Sequence, residues 1–63
     1  MRAIPVEIFD KEGNLAKIEV ELSSGEHLFD ALWDPSDEQT HENRVAFREW
    51  VKTMIKRKGY SCD

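Results

Sequence analysis

Two segments that alternate apolar and polar residues, joined by five polar residues, most constrain the fold of this protein. In AIPVEIF, residues 3–9, one side of an extended backbone would carry Ile4, Val6 and Ile8. In LAKIEVEL, residues 15–22, the apolar side would carry Ala16, Ile18, Val20 and Leu22. A period of two residues is typical of a half-buried strand, and the connection DKEGN contains residues that tolerate positive φ. The pattern predicts a β-hairpin with one apolar and one charged face.

Pro5 limits where the first strand can lie. Proline has no backbone N–H to donate, so within sheets it is confined to edges or to positions whose N–H side faces solvent. We therefore expect the first strand to lie at an edge or to turn Pro5 outward. A lone hairpin is only marginally stable in water, so a further element must pack on its apolar face.

The segment SSGEHLFDALW, residues 23–33, is compatible with two structures. Ser23 or Ser24, followed by Glu26, could cap a short helix. Apolar residues then follow at helical spacing, at Leu28, Phe29, Leu32 and Trp33. Alternatively, a turn at Gly25 could lead into a third strand. We favour the short helix and keep the strand as the alternative.

A long C-terminal helix is predicted over residues 35–58. Asp34 can cap it and Pro35 suits its first position. Gly59 can adopt the left-handed conformation that ends a helix, with Tyr60 folding back onto the last turn. Its apolar face, at helical period, would carry Phe47, Trp50, Val51, Met54 and Ile55.

These elements predict an α+β fold in one domain, residues 1–63. The order is strand 3–9, strand 15–22, the segment 23–33, and a helix 35–58 packed on the sheet. A protein of 63 residues buries only about 60% of the surface that it exposes when unfolded. The predicted core is therefore small.

Several sequence features indicate a cytoplasmic protein that is not in a membrane. Cys62 is the only cysteine, which rules out the internal disulfides on which small secreted domains rely. The N-terminus MRAIPVEIFDKEG lacks the apolar region of a signal peptide. Apolar runs of two or three residues are far too short to span a bilayer.

The charges are distributed unevenly. Residues 1–42 contain eleven acidic and three basic residues, a net charge of −8, whereas residues 43–63 carry +4. In the predicted helix, basic residues recur every four positions, at Arg44, Arg48, Lys52 and Lys56. Like charges at that spacing destabilise a helix by roughly 0.2–0.5 kcal/mol per pair. Something anionic should therefore face this row, either the acidic strands or a partner.

The composition favours a protein partner over nucleic acid. A pI of about 5.1 is far below the value above 9 that is typical of nucleic-acid-binding domains. Val45 lies within the basic row, and an apolar residue there suits a protein contact better than a phosphate contact. Two tryptophans exceed what so small a core can cover, and tryptophan is enriched at binding hot spots. The candidate partner-binding residues are Arg44, Val45, Arg48, Lys52, Lys56, Trp33 and Trp50.

We therefore expect a small acidic, non-enzymatic protein that binds another protein, as an inhibitor or adaptor of the accessory or mobile-element type. A nucleic-acid-associated regulator that uses the basic helix is the alternative, and a homodimer is a third possibility. No cofactor is predicted. His27, His41 and Cys62 lack the spacing of a metal site, and so short a sequence leaves little room for a water-excluding catalytic pocket.

Overall fold

The computed structural model, which describes residues 1–62, is a four-stranded sheet with one long helix. The elements are β1 (Arg2–Phe9), β2 (Leu15–Leu22), β3 (His27–Leu32), α1 (His41–Arg57) and β4 (Ser61–Cys62). The strand order is β3-β2-β1-β4. The first three strands pair antiparallel, and β4 pairs in parallel with the start of β1. The predicted α+β fold, a hairpin followed by one long C-terminal helix, is confirmed.

The segment after the hairpin is a strand, so the prediction of a short helix there was wrong and its alternative was right. Gly25 has a φ of 93° and forms the tip of a tight turn. Its N–H donates to the Leu22 C=O at 2.8 Å, and the Leu22 N–H donates to the Glu26 C=O at 2.8 Å. This turn sends the backbone back along β2, where a third strand satisfies polar groups that an isolated helical turn would leave unpaired.

The helix begins six residues later than predicted, at His41. Thr40 caps it and its Oγ1 accepts a hydrogen bond from the Asn43 N–H at 3.1 Å. Asp34 instead closes a turn, accepting bonds from the Ser36 N–H at 2.9 Å and the Ser36 hydroxyl at 2.8 Å. These two bonds hold the pKa of the Asp34 carboxyl below its ordinary value. The same residues that cap helices also close turns, and here the turn prevails.

The end of the helix follows its sequence signal. Gly59 has a φ of 90°, the left-handed conformation that glycine adopts most readily. The Gly59 N–H donates to the Lys56 C=O at 3.0 Å, and the Tyr60 N–H reaches back to the Ile55 C=O at 3.3 Å. This pair of bonds defines a Schellman motif and confirms the predicted stop.

The apolar side of β1 faces away from the helix, contrary to prediction. In the hairpin register, Ala3 lies opposite Leu22 and Glu7 lies opposite Ile18, and these pairs share the helix-covered face. Ile4 and Val6 therefore lie on the open face, 41% and 40% exposed. The hairpin determines which residues share a face. The larger apolar side of β2 then determines which face the helix covers.

A β-bulge changes the contribution of β2 to the core. The register shifts where Phe9 pairs with Leu15, which leaves Ala16 as the extra residue. Leu15 is consequently buried and Ala16 is exposed, the reverse of the predicted alternation. The buried core is made of Ala3, Leu15, Ile18, Val20, Leu22, Ala31, Val51 and Ile55.

The loop before the helix is attached to β2 by one side chain. The amide of Gln39 accepts from the Leu15 N–H at 3.0 Å and donates to the Leu15 C=O at 2.9 Å. It therefore acts on Leu15 as a neighbouring strand would. The Gln39 oxygen also accepts from Arg44 Nε at 3.0 Å, which links the loop to the first turn of α1.

Candidate functional site

The basic row on α1 is partly neutralised within the protein itself. Arg48 donates to Glu7 Oε1 through Nη2 at 2.7 Å and Nε at 3.0 Å. Arg44 bonds to Gln39, and Lys52 Nζ lies 3.8 Å from Glu49. A carboxylate of β1, Glu7, thus faces the middle of the row, which is one of the two explanations that the sequence leaves open. Val45 and Lys56 are both exposed on the same flank.

Three aromatic side chains form a cluster on the other flank of the helix. The Trp33 and Phe47 rings pack edge to face with centroids 5.1 Å apart, and Phe47 stacks on Trp50 at 6.3 Å. Trp33 is fixed by a hydrogen bond from its Nε1 to the Asp37 C=O at 3.1 Å. Trp50 is 51% exposed, so one tryptophan is indeed only partly covered. Trp33 and Phe47 thus form a packed base beneath the half-exposed indole of Trp50.

The predicted partner-binding residues do not form one surface. At about 100° per residue, Trp50 projects roughly 160° away from Lys52 around the helix. Val51 and Ile55 lie between the two flanks and face the sheet. The aromatic cluster therefore lies on the flank that includes Met54, and the basic row lies on the flank above Glu7. A single flat partner could not contact both groups at once.

The open face of the sheet carries a third candidate surface, whose β1 residues Ile4, Val6 and Ile8 were expected in the core. Cross-strand pairing gives three rows on this face: Ile8–Lys17–Leu32, Val6–Glu19–Asp30 and Ile4–Glu21–His27. Each row has an apolar residue on β1 and a charged residue on β2. Leu32 is 71% exposed at the far end of one row. The face is therefore an apolar strand beside a charged strand.

Charge pairing organises the centre of this open face. Lys17 Nζ lies 2.9 Å from Glu19 Oε1. The hydrogen bond from Lys17, together with its charge, lowers the pKa of Glu19, and the same contact raises the pKa of Lys17. His27 Nε2 lies 3.6 Å from Asp30 Oδ1 on β3. These contacts place paired charges on β2 and β3, on the same face as Ile4, Val6 and Ile8.

The Lys17–Glu19 pair predicts a measurable pH effect. In the Lys17→Met variant, the Glu19 pKa is expected to rise towards its ordinary value, because both the hydrogen bond and the nearby charge are lost. Since folding lowers this pKa, the pair stabilises the fold above the unfolded-state pKa, and that contribution is lost as pH falls through the folded-state pKa. NMR titration of the Glu19 side chain measures the shift. A Lys11→Met control should leave it unchanged, and an unaltered Glu19 pKa in Lys17→Met would contradict the assignment.

A small cleft lies between β1 and α1. Its volume is about 130 Å³, and it is lined by Pro5, Glu7, Ile18, Arg48, Val51 and Lys52. Ligand pockets usually enclose roughly 300–1,000 Å³, so this cleft suits a single side chain rather than a small-molecule substrate. Its cationic residues belong to the helix and its apolar residues form its floor.

Within residues 1–62, no helix is long and apolar enough to cross a membrane. The same residues include no group of three His, Cys, Asp or Glu side chains that could hold a metal ion. Cys62 lies in β4, partly buried against the core.

Comparison of this sequence and its fold with protein-family models, with curated proteins and with solved structures gave no match.

Proposed function

We propose that this is a small non-enzymatic protein that binds another protein, with Trp50 at the centre of the contact. The half exposure of Trp50 on an ordered aromatic base is the observation that carries the proposal. An exposed indole costs little entropy when it becomes buried if its neighbours already restrict it. Tryptophan is also among the residues most enriched at hot spots.

The residues around Trp50 supply the remainder of an apolar contact. Phe47 and Met54 lie one turn before and after it on the same flank, and both are half-buried. Spacing of i, i+3 and i+7 along a helix is the pattern by which a helix presents an apolar stripe to a groove or to another helix. A partner with an apolar groove or helix would therefore cover this stripe.

Charge supports a protein partner rather than nucleic acid. Arg48 is paired with Glu7, Lys52 lies 3.8 Å from Glu49, and Arg44 is bonded to Gln39, so three of the four basic residues already have a partner within the protein. The row is thus a weaker polyanion site than its spacing suggests, and the acidic open face would repel phosphates. Val45 and Lys56, beside Lys52, form the alternative protein contact, against which the Trp50 contact is tested. An inhibitor or adaptor role in the cytoplasm is consistent with this interpretation.

The test begins with capture of partners from the organism that encodes the protein, using immobilised wild-type protein, followed by calorimetry with the purified partner. Trp50→Ala is expected to weaken binding by about 2 kcal/mol or more, roughly 30-fold, because the anchor is lost. The matched control is Val45→Ala, an exposed position on the other flank of the same helix. It should leave both the affinity and the thermal stability nearly unchanged.

Two outcomes would contradict this proposal. If Val45→Ala or Lys56→Gln weakened binding while Trp50→Ala did not, the partner would contact the basic flank instead. If oligonucleotides bound the protein with an affinity that fell steeply as salt increased, and Lys52→Gln with Lys56→Gln abolished this binding, nucleic acid would be the partner.

A further inference from the structure

The outer edge of β1 is only partly occupied. On this side, β4 pairs with Arg2 and Ala3, and within residues 1–62 no strand pairs with β1 beyond that point. The remaining edge runs from Pro5 to Phe9. Unpaired strand edges are templates for another strand, so this segment is a candidate interaction surface on the flank away from Trp50.

The direction of the backbone polar groups along this edge follows from the hydrogen bonds at the start of β1. The Arg2 C=O accepts from Ser23, towards β2, whereas the Met1 C=O accepts from Ser61, towards β4. Because successive residues of a strand point to alternate sides, the odd-numbered residues of β1 point outward. The exposed groups are therefore the C=O of Pro5 and both the N–H and the C=O of Glu7 and Phe9.

Pro5 lacks an N–H, but it still presents an acceptor. The free segment is symmetric in length about Glu7, so a two-fold axis through Glu7 would align two copies antiparallel. Glu7 of each copy would exchange N–H and C=O bonds with Glu7 of the other. Phe9 of each copy would donate its N–H to the Pro5 C=O of the other. A register centred on Val6 would instead place Phe9 of one copy at Ala3, where β4 already lies.

We propose that two copies of this protein associate through the β1 edge, in the register centred on Glu7, to form one continuous sheet. This interaction is separate from the proposed Trp50 contact and does not depend on it.

The side chains of β1 match in this register on the open face. Val6 of one copy would lie opposite Ile8 of the other in a non-hydrogen-bonded pair. In such pairs the side chains of the two strands are close. Val6 is 40% exposed in the single copy. Contacts between directly opposite side chains on neighbouring strands stabilise a sheet. Dimer formation would therefore cover part of the apolar surface of Val6 and Ile8.

The side chains also match on the helix-covered face. Phe9, 49% exposed, would lie against Pro5 of the second copy, at the side of the cleft between β1 and α1. The two Glu7 carboxylates would face each other, which alone is unfavourable. However, each is bonded to Arg48 at 2.7 Å, and Lys52 lines the same cleft. Cations from both helices would thus surround the two carboxylates.

The dimer should be weak, because so short a strand pair buries less than the roughly 1,200 Å² of a stable interface. Analytical ultracentrifugation from low micromolar to millimolar concentration is expected to show reversible growth from 7.4 kDa to twice that mass. In Val6→Lys, the cation would lie opposite Ile8 of the second copy, and the association constant should fall at least tenfold. Leu32→Lys is the matched control, the same type of change on the same face but on β3, and should dimerise as the wild type does.

Amide hydrogen exchange tests the edge directly without any substitution. At high concentration, the Glu7 and Phe9 amides should exchange more slowly than at low concentration, because only these outward donors gain partners. The Ile4 and Ile8 amides, already directed towards β2, should change little.

Cross-linking tests the register. In a Cys62→Ser background, the Val6→Cys, Ile8→Cys double variant should form disulfides that join position 6 of one copy to position 8 of the other, because facing residues of such a pair lie within disulfide range. A monomer at millimolar concentration would overturn the proposal. So would Glu7 and Phe9 exchange that is independent of concentration, or a dimer that Trp50→Ala abolishes and Val6→Lys does not.

Discussion

Replacing Ile55 with alanine is expected to lower the free energy of unfolding by about 2–5 kcal/mol. Ile55 is 0% exposed and packs, with Val51, between α1 and the sheet. Truncating a buried isoleucine costs about 2–5 kcal/mol, the lost burial plus the cavity left behind. A protein of 63 residues has a total stability of only about 3–9 kcal/mol. The variant should therefore lose roughly half of it.

Urea denaturation followed by circular dichroism at 222 nm measures this loss. Leu32→Ala is the control, because Leu32 is 71% exposed, and its stability should stay within about 0.5 kcal/mol of the wild type. A loss below about 1 kcal/mol in Ile55→Ala would mean that α1 does not hold the core as the structure shows.

Replacing Gln39 with leucine is expected to lower the free energy of unfolding by about 2–3 kcal/mol. The substitution keeps the side-chain volume but removes both groups that bond to Leu15 at 3.0 and 2.9 Å. Leu15 is 1% exposed, so water cannot readily replace these bonds. Arg44 loses its acceptor on Gln39 as well.

The same denaturation experiment measures this effect, with Glu38→Leu as its control. Glu38 is the exposed neighbour in the same loop, and its backbone carbonyl oxygen, which the substitution keeps, accepts the bond from the Asn43 side-chain amide. Its replacement should change stability little. Equal stability of Gln39→Leu and the wild type would show that the loop is not fastened to β2 by this amide.

The elements that could be predicted were those whose signals are local. The hairpin followed from alternation on both sides of a polar connection, and the helix stop followed from Gly59 and the residues around it. In both cases the deciding contacts join residues close in sequence. The Tyr60 N–H, for instance, reaches only as far as Ile55.

The start of the helix and the nature of β3 could not be predicted in this way. Asp34 and Pro35 can begin a helix or close a turn, and the choice depends on what the following residues bond to. Here Gln39 bonds to Leu15, twenty-four positions earlier, and Trp33 donates its indole N–H to Asp37. Likewise, the segment after Gly25 became a strand because β2 offered it a paired edge.

The candidate surfaces show the same division. The surplus of tryptophan and the regular spacing of the cations were visible in the sequence, and Trp50 is indeed half exposed. The pairing of Arg48 with Glu7 joins residues forty-one positions apart, and no local pattern indicates it. The side of β1 that carries Ile4, Val6 and Ile8 was expected in the core, because it is the more apolar side when β1 is considered alone.

By itself, the sequence therefore determined the β-hairpin, where the helix ends and that an apolar surplus exists. The tertiary structure alone decided which side of β1 the helix covers. A strand has two sides, and its own residues cannot determine which one is covered. The hairpin register joins Ala3 and Glu7 to the apolar side of β2, and the helix covers the larger combined apolar surface. Ile4 and Val6 remained exposed because burial is decided for the whole sheet face and not strand by strand.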